Sequence, residues 1–570
     1  MTEARSPRPA PGPARALRPL LGAVAALLIA GALRLGPLPA SGDAQDDAVQ
    51  VQFLAVNDFH GQLETTERTS DHRPIGGAAV LAAYLDAHEQ EAVAAGATSL
   101  RVGAGDLVGA SPLVSGMLRD EPTIYALSLM RLRYSSVGNH EFDKGVAELR
   151  RLQYGGCAPP GPSSLLTSSD DPSLLDPATG CFAGARFQYL AANVIDQATG
   201  EPLFPPYAIV RFRGVPIGLV GIVLKETPSI VTPSGVAGVQ FLDEAETINR
   251  YAAELGAQGV HAVVVLIHQG GTGTRTGGPI RGAIVPIVEA LDPAVAVVIS
   301  GHTHQFYQGT IAGRLVTQAG SYSQGFADVR LTLDPTSGTV SAARAEIVDT
   351  LADVAPGDAP NPDVAAVVAA AQAQTAPLAG RVLGTAPADM RRAPNAAGES
   401  PLGDLIADAQ RAAVGAQIAA TNPGGIRTDL HAGTVTYADL FAVQPFGNSL
   451  VTMTLTGAQL VQLLEQQWRD QPQPRVLLVS GLSYTWQPDG PPGARVDPAD
   501  VRVGSQPLAL DGAYRVVVNS FLADGGDGFS VLRAGADREG GPQDLDAFAD
   551  YVAAHDGPLT APPGSRIQTR

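Results

Sequence analysis

The feature that most constrains this chain is a pattern that occurs five times before residue 310: a short apolar run that ends in a polar motif. Apolar runs of about four to eight residues are typical of strands that are buried on both faces. If the runs are strands of one sheet, their carboxyl ends bring the motifs together on one rim, where open α/β sheets place their sites. The motifs are Asn57-Asp58-Phe59-His60, Gly105-Asp106, Gly138-Asn139-His140-Glu141, His268 and Gly301-His302-Thr303-His304.

Between residues 49 and 349 the apolar runs alternate with longer stretches, rich in Ala and Leu, that favour helices. This alternation predicts a layered α/β region. The predicted strands are Val49–Val56, Ser99–Val102, Gln188–Ala192, Ala208–Arg213, Ile217–Val223, Ala262–Ile267, Ala294–Ile299 and Ala327–Leu333. The predicted helices are Gly76–Ala95, Pro122–Leu132, Glu244–Gln258 and Pro279–Leu291.

A second folded region is expected after residue 349, because the 570 residues exceed the roughly 250–300 that one core usually supports. Residues 350–362, rich in Pro, Asp and Ala, are expected to form a linker. A helix is predicted from Asp363, a plausible N-cap, to Ala376. From about Arg381 to the end we expect a second α/β or α+β region.

Composition excludes two classes of protein. A hydrophobic content of 45% is too high for a disordered chain. A formal net charge of −18 provides no long-range attraction to nucleic acid or to an anionic membrane. Polymeric nucleic acid is therefore not expected as a partner.

The first 44 residues have the layout of a secretory signal. The arginines Arg5, Arg8, Arg15 and Arg18 precede the apolar run 20–33, and small residues follow it. The run is short for a membrane span of about 20 residues, but an uncleaved anchor is the alternative. We expect a secreted or cell-envelope protein without a stable membrane partner, unless this segment is retained.

The cysteine content agrees with export. Cys157 and Cys181 are the only cysteines and bracket a stretch rich in Pro, Ser, Gly and Asp. With no further Cys or His nearby, we expect a structural disulfide. Two unrelated buried thiols or a metal pair are the alternatives.

The polar motifs contain residue types that suit divalent metals. Carboxylates, one amide and imidazoles form a mixed oxygen and nitrogen set that suits Mn, Zn, Fe or Co. Seven candidate ligands exceed what one tetrahedral ion needs, so we expect two ions that share one carboxylate and clamp a phosphoryl group. The candidates are Asp58, His60, Asp106, Asn139, His268, His302 and His304.

Each motif alone also has an ordinary structural explanation. A single D-x-H string is a weak signal, Gly105-Asp106 is typical of a turn, and His268 fits a buried core histidine. Five of the ten histidines nevertheless fall within these motifs. We therefore interpret the set as one metal site.

The ordered strings NDFHG, GAGD, GNHEFD, IHQGG and SGHTH resemble those of calcineurin-like metallophosphatases, and specifically those of the secreted 5′-nucleotidase family. In the second region TNPGGIR, QPFGN and NSFLADGGDGF look like that family's substrate-domain motifs. The resemblance implies a four-layer α/β/β/α metallophosphatase domain over residues 45–349. A linker with a helix over 350–380 and a separate α+β substrate-binding domain over 381–570 would follow.

The resemblance also implies roles for single residues. His140 and Asp143 match the family's catalytic pair, and a spacing of three at a helical start puts both on one side. The nucleophile would be a metal-activated water that hydrolyses a phosphate ester in line. The implied ligand sets are Asp58, His60 and His304 for one metal and Asn139, His268 and His302 for the other, with Asp106 bridging them.

In the second region the resemblance implies substrate recognition. Phe446 and Phe521 would sandwich the base, and Arg427 suits bidentate contact with phosphate. Asn422 and Asp527 would bind the nucleoside part through hydrogen bonds. The alternative for the string around Asp527 is a glycine-rich turn without a ligand.

Two departures from the family pattern affect substrate preference. Pro423 replaces the first of three glycines, and after Arg392 the segment APNAAGESPLGDL stands where the family commonly has a shorter, Asn-bearing Leu-Gly segment. The phosphate-binding arginines expected near that segment are assigned to Arg391 or Arg392.

These observations predict an exported two-metal phosphohydrolase that releases phosphate from 5′-nucleotides. Its substrate would be a nucleotide or a nucleotide-derived small molecule. One alternative is a phosphodiesterase for UDP-sugars or 2′,3′-cyclic nucleotides on the same scaffold. The other is a non-catalytic surface binding protein.

Overall fold

The long apolar runs of the sequence form strands, and the structure is a computed structural model that describes residues 48–158, 176, 178–471 and 473–570. The predicted export signal lies outside the described residues, as do most residues between the two cysteines. Cys157 and Cys181 form a disulfide, with their Cα atoms 4.8 Å apart.

The elements of the N-terminal region follow the predicted alternation of strands and helices. Its helices are α1 (Ala78–Ala94), α2 (Leu113–Gly116), α3 (Glu121–Leu129), α4 (Val146–Tyr154), α5 (Thr227–Ile230), α6 (Glu244–Ala257) and α7 (Ile284–Glu289), with a 3-10 turn at His140–Phe142. Its strands are β1 (Val49–Val56), β2 (Glu67–Arg68), β3 (Pro74–Ile75), β4 (Thr98–Ala104), β5 (Tyr134–Ser136), β6 (Gln188–Leu190), β7 (Val194–Asp196), β8 (Tyr207–Phe212), β9 (Val215–Val223), β10 (Val239–Phe241), β11 (Ala262–His268), β12 (Val295–Ser300), β13 (Phe306–Ile311), β14 (Arg314–Ala319), β15 (Gly325–Leu333) and β16 (Val340–Asp349).

Two six-stranded sheets form the centre of this region. Their strand orders are β16-β15-β1-β4-β5-β6 and β13-β14-β12-β11-β9-β8. Apolar side chains such as Phe53, Val264 and Val329 fill the space between the sheets. Helix α1 covers the outer face of the first sheet, and α6 and α7 cover that of the second. The predicted four-layer α/β/β/α arrangement is confirmed.

The strands that carry the polar motifs belong to two sheets, not to one. β1, β4 and β5 pair in parallel in the first sheet. β11 and β12 pair in parallel in the second. Because the two sheets pack face to face, the loops after these strands still meet at one end of the region.

The C-terminal region is built on a mixed five-stranded sheet of order β21-β18-β25-β20-β26. α9 and α13 pack on one face of this sheet, and α11 packs on the other. The helices are α8 (Pro362–Ala379), α9 (Pro401–Val414), α10 (Tyr437–Val443), α11 (Gly457–Glu465), α12 (Ser520–Ala523) and α13 (Asp544–Ala553). The strands are β17 (Val382–Ala386), β18 (Ile418–Thr421), β19 (Gly433–Thr436), β20 (Ser449–Thr456), β21 (Leu478–Ser480), β22 (Leu482–Trp486), β23 (Arg502–Val503), β24 (Gln506–Pro507), β25 (Ala513–Asn519), β26 (Ala536–Gln543) and β27 (Ile567–Thr569).

Two helix predictions were wrong in detail. α7 starts at Ile284, not at Pro279, because Arg281 pairs with Thr272 through two backbone hydrogen bonds and Gly282 has a φ of 107°. The N-cap of α8 is Asn361, not Asp363, because the Asn361 side chain accepts hydrogen bonds from the backbone N–H of Asp363 and Val364. Among the described residues, no helix is long and apolar enough to cross a membrane.

Candidate active site

Five of the seven predicted metal ligands share an unusual backbone conformation. Each has a positive φ, a region that costs energy for a residue with a side chain and that concentrates at functional sites. These sharp reversals follow the ends of β1, β4 and β12 and turn the side chains inward. The residues are Asp58 (49°), His60 (47°), Asp106 (50°), His302 (76°) and His304 (54°).

The first group of candidate ligands consists of Asp58, His60 and His304, whose ligand atoms all lie within 4.8 Å of one another. Nε2 of His60 lies 3.1 Å from Nε2 of His304, which lies 3.4 Å from Oδ1 of Asp58. Nδ1 of His60 lies 2.9 Å from the carbonyl oxygen of Gly109. A carbonyl can only accept, so Nδ1 carries the proton and Nε2 offers its lone pair to the group.

The second group consists of Asp106, His268 and His302 within the same distance limit. Nδ1 of His268 donates to the carbonyl of Ala104 at 2.8 Å, which directs Nε2 towards the group. Nδ1 of His302 lies 3.1 Å from Oδ1 of Asn139. Asn139, which the sequence predicted as a ligand, therefore lies beside the second group.

Asp106 lies between the two groups. Its Oδ2 is 3.0 Å from Nε2 of His268 and 3.7 Å from Nε2 of His60. Its Oδ1 accepts a hydrogen bond from the backbone N–H of His140 at 2.8 Å. Burial raises the pKa of Asp106, but the imidazoles of His268 and His140 outweigh burial and hold that pKa well below its usual range.

The buried donor atoms fit divalent cations. Nε2 of His268 is fully buried and has no hydrogen-bond partner of acceptable geometry among the described residues. Burial lowers the pKa of His60 well below its usual range, which keeps that imidazole neutral. Imidazole nitrogens and carboxylate oxygens form a donor set that Mn, Zn, Co and Fe accept.

Two buried polar side chains that sequence reasoning missed hold this backbone in place. Glu141 accepts hydrogen bonds from the backbone N–H of Asp106 (2.9 Å) and of Gly138 (2.5 Å). Asn57 donates to Oδ2 of Asp58 and to the carbonyl of Gly320, both at 2.6 Å. A side chain on Gly138 would collide with the Asp106 carboxylate, so only glycine fits that turn.

The predicted catalytic pair is in contact. Nδ1 of His140 lies 2.8 Å from Oδ2 of Asp143, and its ring centroid is 5.1 Å from that of His60. Burial lowers the pKa of His140, but the carboxylate of Asp143 outweighs burial and raises that pKa above its usual value. His140 is therefore a candidate proton donor beside the first ligand group.

Two residues of the C-terminal region reach this place. The Phe446 ring stacks on His140 with centroids 5.6 Å apart and planes at 20°, and the Arg427 guanidinium lies 5.8 Å from the centre of the same ring. Nη2 of Arg427 donates to the hydroxyl of Tyr322 at 3.4 Å. The Tyr322 ring lies 5.4 Å from that of His60, a contact the sequence did not reveal.

Asn422 and Asp527 form a second cluster with each other. Nδ2 of Asn422 donates to Oδ2 of Asp527 at 2.9 Å, and Nη1 of Arg475 lies 2.9 Å from Oδ1 of Asp527. Asn519 donates to Oδ1 of Asn422 at 3.0 Å. Burial raises the pKa of Asp527, although Arg475 opposes this shift. Arg475 and Asn519 were not identified from the sequence.

The remaining predicted substrate residues are Phe521, Arg391 and Arg392. The contacts described for Phe521 and Arg392 are with other residues of the C-terminal region. Phe521 is half-buried, with its ring against Gly526. Arg392 is exposed, and its Nη1 donates to the carbonyl of Ile426 at 3.0 Å, next to Arg427. Arg391 is exposed.

Comparison with known proteins identifies the family. Residues 374–534 match the family model of the 5′-nucleotidase C-terminal domain. The cell wall protein Lmo0130 of Listeria monocytogenes is 35% identical over 569 residues, which cover 92% of this chain and 70% of the relative. This chain belongs to the 5′-nucleotidase family. It is therefore an enzyme, a hydrolase of phosphoric esters, and the predicted family is confirmed.

Two further proteins are similar to this chain over most of its length. The endonuclease YhcR of Bacillus subtilis is 32% identical over 531 residues, which cover 92% of this chain but 41% of YhcR. The crystal structure of a 5′-nucleotidase precursor from Thermus thermophilus superposes with a TM-score of 0.75 at 29% identity. That match covers 91% of this chain and 99% of the solved chain, so the two-region architecture is shared.

Proposed function

We propose that this protein is an exported phosphohydrolase that uses two divalent cations to release phosphate from 5′-nucleotides. The observation that carries the proposal is a convergence: two groups of buried ligands joined by Asp106, with the His140–Asp143 pair and Arg427 beside them. Phosphoryl transfer needs cations, a proton donor and fixed positive charge around one phosphate, and this place offers residues for all three.

The cations would be held by side chains of the N-terminal region. They would polarise the phosphoryl group and make water a stronger nucleophile, as divalent ions of the Mn, Zn, Co or Fe type do. The proposed ligands are Asp58, His60 and His304 for one ion and Asn139, His268 and His302 for the other, with Asp106 shared.

His140 and Asp143 would handle the proton of the leaving group. Because Asp143 holds Nδ1 of His140 at 2.8 Å, the imidazole ring has a fixed orientation next to the ligands. A protonated Nε2 would then stabilise negative charge on a phosphoryl oxygen or on the departing oxygen. The raised pKa of His140, which Asp143 causes against burial, favours this protonated form.

Substrate recognition would come from the C-terminal region. Nε of Arg427 is buried without a hydrogen-bond partner in the described part of the chain. This N–H would be available to donate a hydrogen bond to the phosphate of the substrate. Phe446 and Phe521 would stack on the base, and Asn422 and Asp527 would bind the nucleoside. Arg391 and Arg392 remain candidates for phosphate contacts at the exposed edge.

The proposal assigns a different role to each part of the chain. Residues 45–349 would form the metal-bearing domain, 350–380 a linker with its helix, and 381–570 the substrate-binding domain. Residues 1–44 would direct export, in agreement with the disulfide and with a relative named as a cell wall protein.

The decisive experiment measures phosphate release from AMP. The chain is purified, stripped with EDTA and reloaded with Mn, Zn or Co, and the matched control is the same preparation with EDTA retained. We expect release only after reloading. A metal-loaded protein that releases no phosphate from AMP, ADP or ATP would overturn the proposal.

A second candidate is cleavage of phosphodiesters such as UDP-sugars or 2′,3′-cyclic nucleotides. The similarity to YhcR, which is named an endonuclease, favours it, although this chain spans only 41% of that protein. The same ligands would serve both reactions, because in each of them water attacks phosphorus and one oxygen leaves, and a diester differs in the second ester group that phosphorus retains. A substrate panel decides: the diesterase hypothesis fails if cyclic nucleotides and UDP-sugars are untouched while AMP is hydrolysed.

A further inference from the structure

The turn Gly301–Gln305 carries both His302 and His304, one for each proposed cation. It connects β12 to β13, and β14 lies between these two strands in the sheet. Both histidines have left-handed backbone conformations, with φ of 76° and 54°. A turn in which two such residues alternate with others costs free energy. Contacts with the rest of the structure must therefore stabilise it.

The side chain of Gln318, in β14, supplies that restraint. It is buried, with 1% of its surface exposed. Its Oε1 accepts hydrogen bonds from the hydroxyl of Thr303 at 2.8 Å and from the backbone N–H of Gln305 at 2.7 Å. Its Nε2 donates to the carbonyl of Gly301. One amide therefore binds residues 301, 303 and 305, the neighbours on both sides of each histidine.

We propose that Gln318 is the positioning residue of the metal centre, which fixes His302 and His304 together and sets the affinity for both cations. The inference rests on the proposed function, because that assigns the two histidines to metals. Only an amide fits the role: it combines one donor for Gly301 with an acceptor for two partners. Gln318 touches no ligand atom in these contacts, so its effect passes entirely through the turn.

The test is the substitution Gln318→Met, which keeps the length of the side chain and removes all three hydrogen bonds. The EDTA-stripped protein is titrated with Mn²⁺ in a calorimeter. We expect both binding events to weaken about 10- to 100-fold, the usual effect of losing a partner that orients metal ligands. Mn²⁺ affinities within threefold of the wild type would overturn the inference.

Gln467 provides a matched control. It is equally buried, and it also accepts two hydrogen bonds, from the Leu477 N–H (2.7 Å) and the Tyr484 hydroxyl (3.1 Å), and donates one, to the Leu464 carbonyl (2.8 Å). Gln467→Met should lower the melting temperature about as much as Gln318→Met and leave the Mn²⁺ affinity unchanged. An equal loss of affinity in both variants would reduce Gln318 to a general stabilising role and contradict the inference.

A milder variant keeps the inference testable if Gln318→Met does not fold. Thr303→Val preserves the shape of the side chain and removes one hydroxyl, which contacts both Gln318 and the carbonyl of Gly271. We expect a three- to tenfold loss of Mn²⁺ affinity, and unchanged binding would contradict the inference. At saturating Mn²⁺, kcat for AMP should recover while KM stays near the wild-type value. If the wild type binds Mn²⁺ but hydrolyses no nucleotide, the proposed function fails while the titration still tests Gln318.

Discussion

The metal-ligand cluster of the N-terminal region and the Asn422–Asp527 cluster of the C-terminal region use buried polar groups in opposite ways. Around the ligands, side chains such as Glu141 and Gln318 bind backbone groups and leave the ligand atoms facing one another. In the C-terminal cluster the side chains bind each other, with Asn422 between Asn519 and Asp527. In the first cluster Nε2 of His268 has no hydrogen-bond partner among the described residues. In the second cluster the polar side chains are hydrogen-bonded to one another.

This difference indicates different tasks. A site that must place cations needs a fixed backbone and ligand atoms without protein partners. A site that must accept a nucleoside can exchange hydrogen bonds among its own side chains for bonds to the substrate. We therefore expect changes in the N-terminal cluster to act on kcat and changes in the C-terminal cluster to act on KM.

The largest expected effect follows the loss of the imidazole that pairs with Asp143. His140→Ala should lower kcat for AMP by about 10²- to 10⁴-fold, because the site loses its proton donor. Calorimetry should show AMP binding within threefold of the wild type. His555→Ala, at an exposed histidine of the C-terminal region, is the control and should change neither value. A kcat for His140→Ala within tenfold of the wild type would contradict the expectation that changes in the N-terminal cluster act on kcat.

Arg427→Ala is expected to have the next largest effect. It should lower kcat/KM for AMP by about 10- to 100-fold, since a charged hydrogen bond to phosphate contributes roughly 1.5–3 kcal/mol. Arg502→Ala, at an exposed arginine of the C-terminal region outside the proposed site, is the matched control with an effect below threefold. If the two variants are equal in steady-state kinetics, the assignment of phosphate binding to Arg427 is wrong.

Substitutions of Phe521 and Phe446 should have different effects on kcat and KM. Phe521→Ala should raise KM for AMP about five- to 100-fold through lost stacking and leave kcat unchanged. Phe446→Ala should change both, because the ring also stacks on His140. With p-nitrophenyl phosphate, which has no purine or pyrimidine base, Phe521→Ala should match the wild type. A loss there as large as with AMP would show that Phe521 does not act through the base.

The smallest expected effect concerns stability and a buried acid of the C-terminal region. Burial raises the pKa of Asp404 to about 8, against the opposing effect of Arg566, whereas an unfolded Asp titrates near 3.9. Between about pH 4 and pH 8 the folded state therefore holds a proton that the unfolded state has lost, so stability decreases as the pH rises through this range.

Asp404→Asn should remove this pH dependence. The amide is neutral at every pH, so the fall in melting temperature between pH 5 and pH 8 should shrink by about 2–4 °C. Asp408→Asn is the control: it breaks the 2.7 Å ion pair with Arg566 and should lower the melting temperature at both pH values. An unchanged pH profile in Asp404→Asn would mean that Asp404 is ionised in the folded protein.

The sequence predicted that the seven proposed metal ligands lie close together, because each follows or ends a strand and because few histidines compete for the role. It did not predict which strands share a sheet, since the apolar runs of β4 and β11 carry no mark of their neighbours. The supporting roles of Gln318 and Asn57 were missed for a related reason, although Asn57 belongs to one of the five motifs. Each binds a backbone atom in another part of the chain, and no local pattern indicates such a contact.

The distribution of the ligands along the chain governs when metal can be acquired. Asp58 lies after the first strand of one sheet and His302 after a central strand of the other, 244 residues later. Neither ligand group exists until both sheets have formed and packed. If these residues bind the cations as proposed, metal would enter a finished fold, and a chain that ends before residue 304 would lack a ligand of the first group however well its earlier strands assemble.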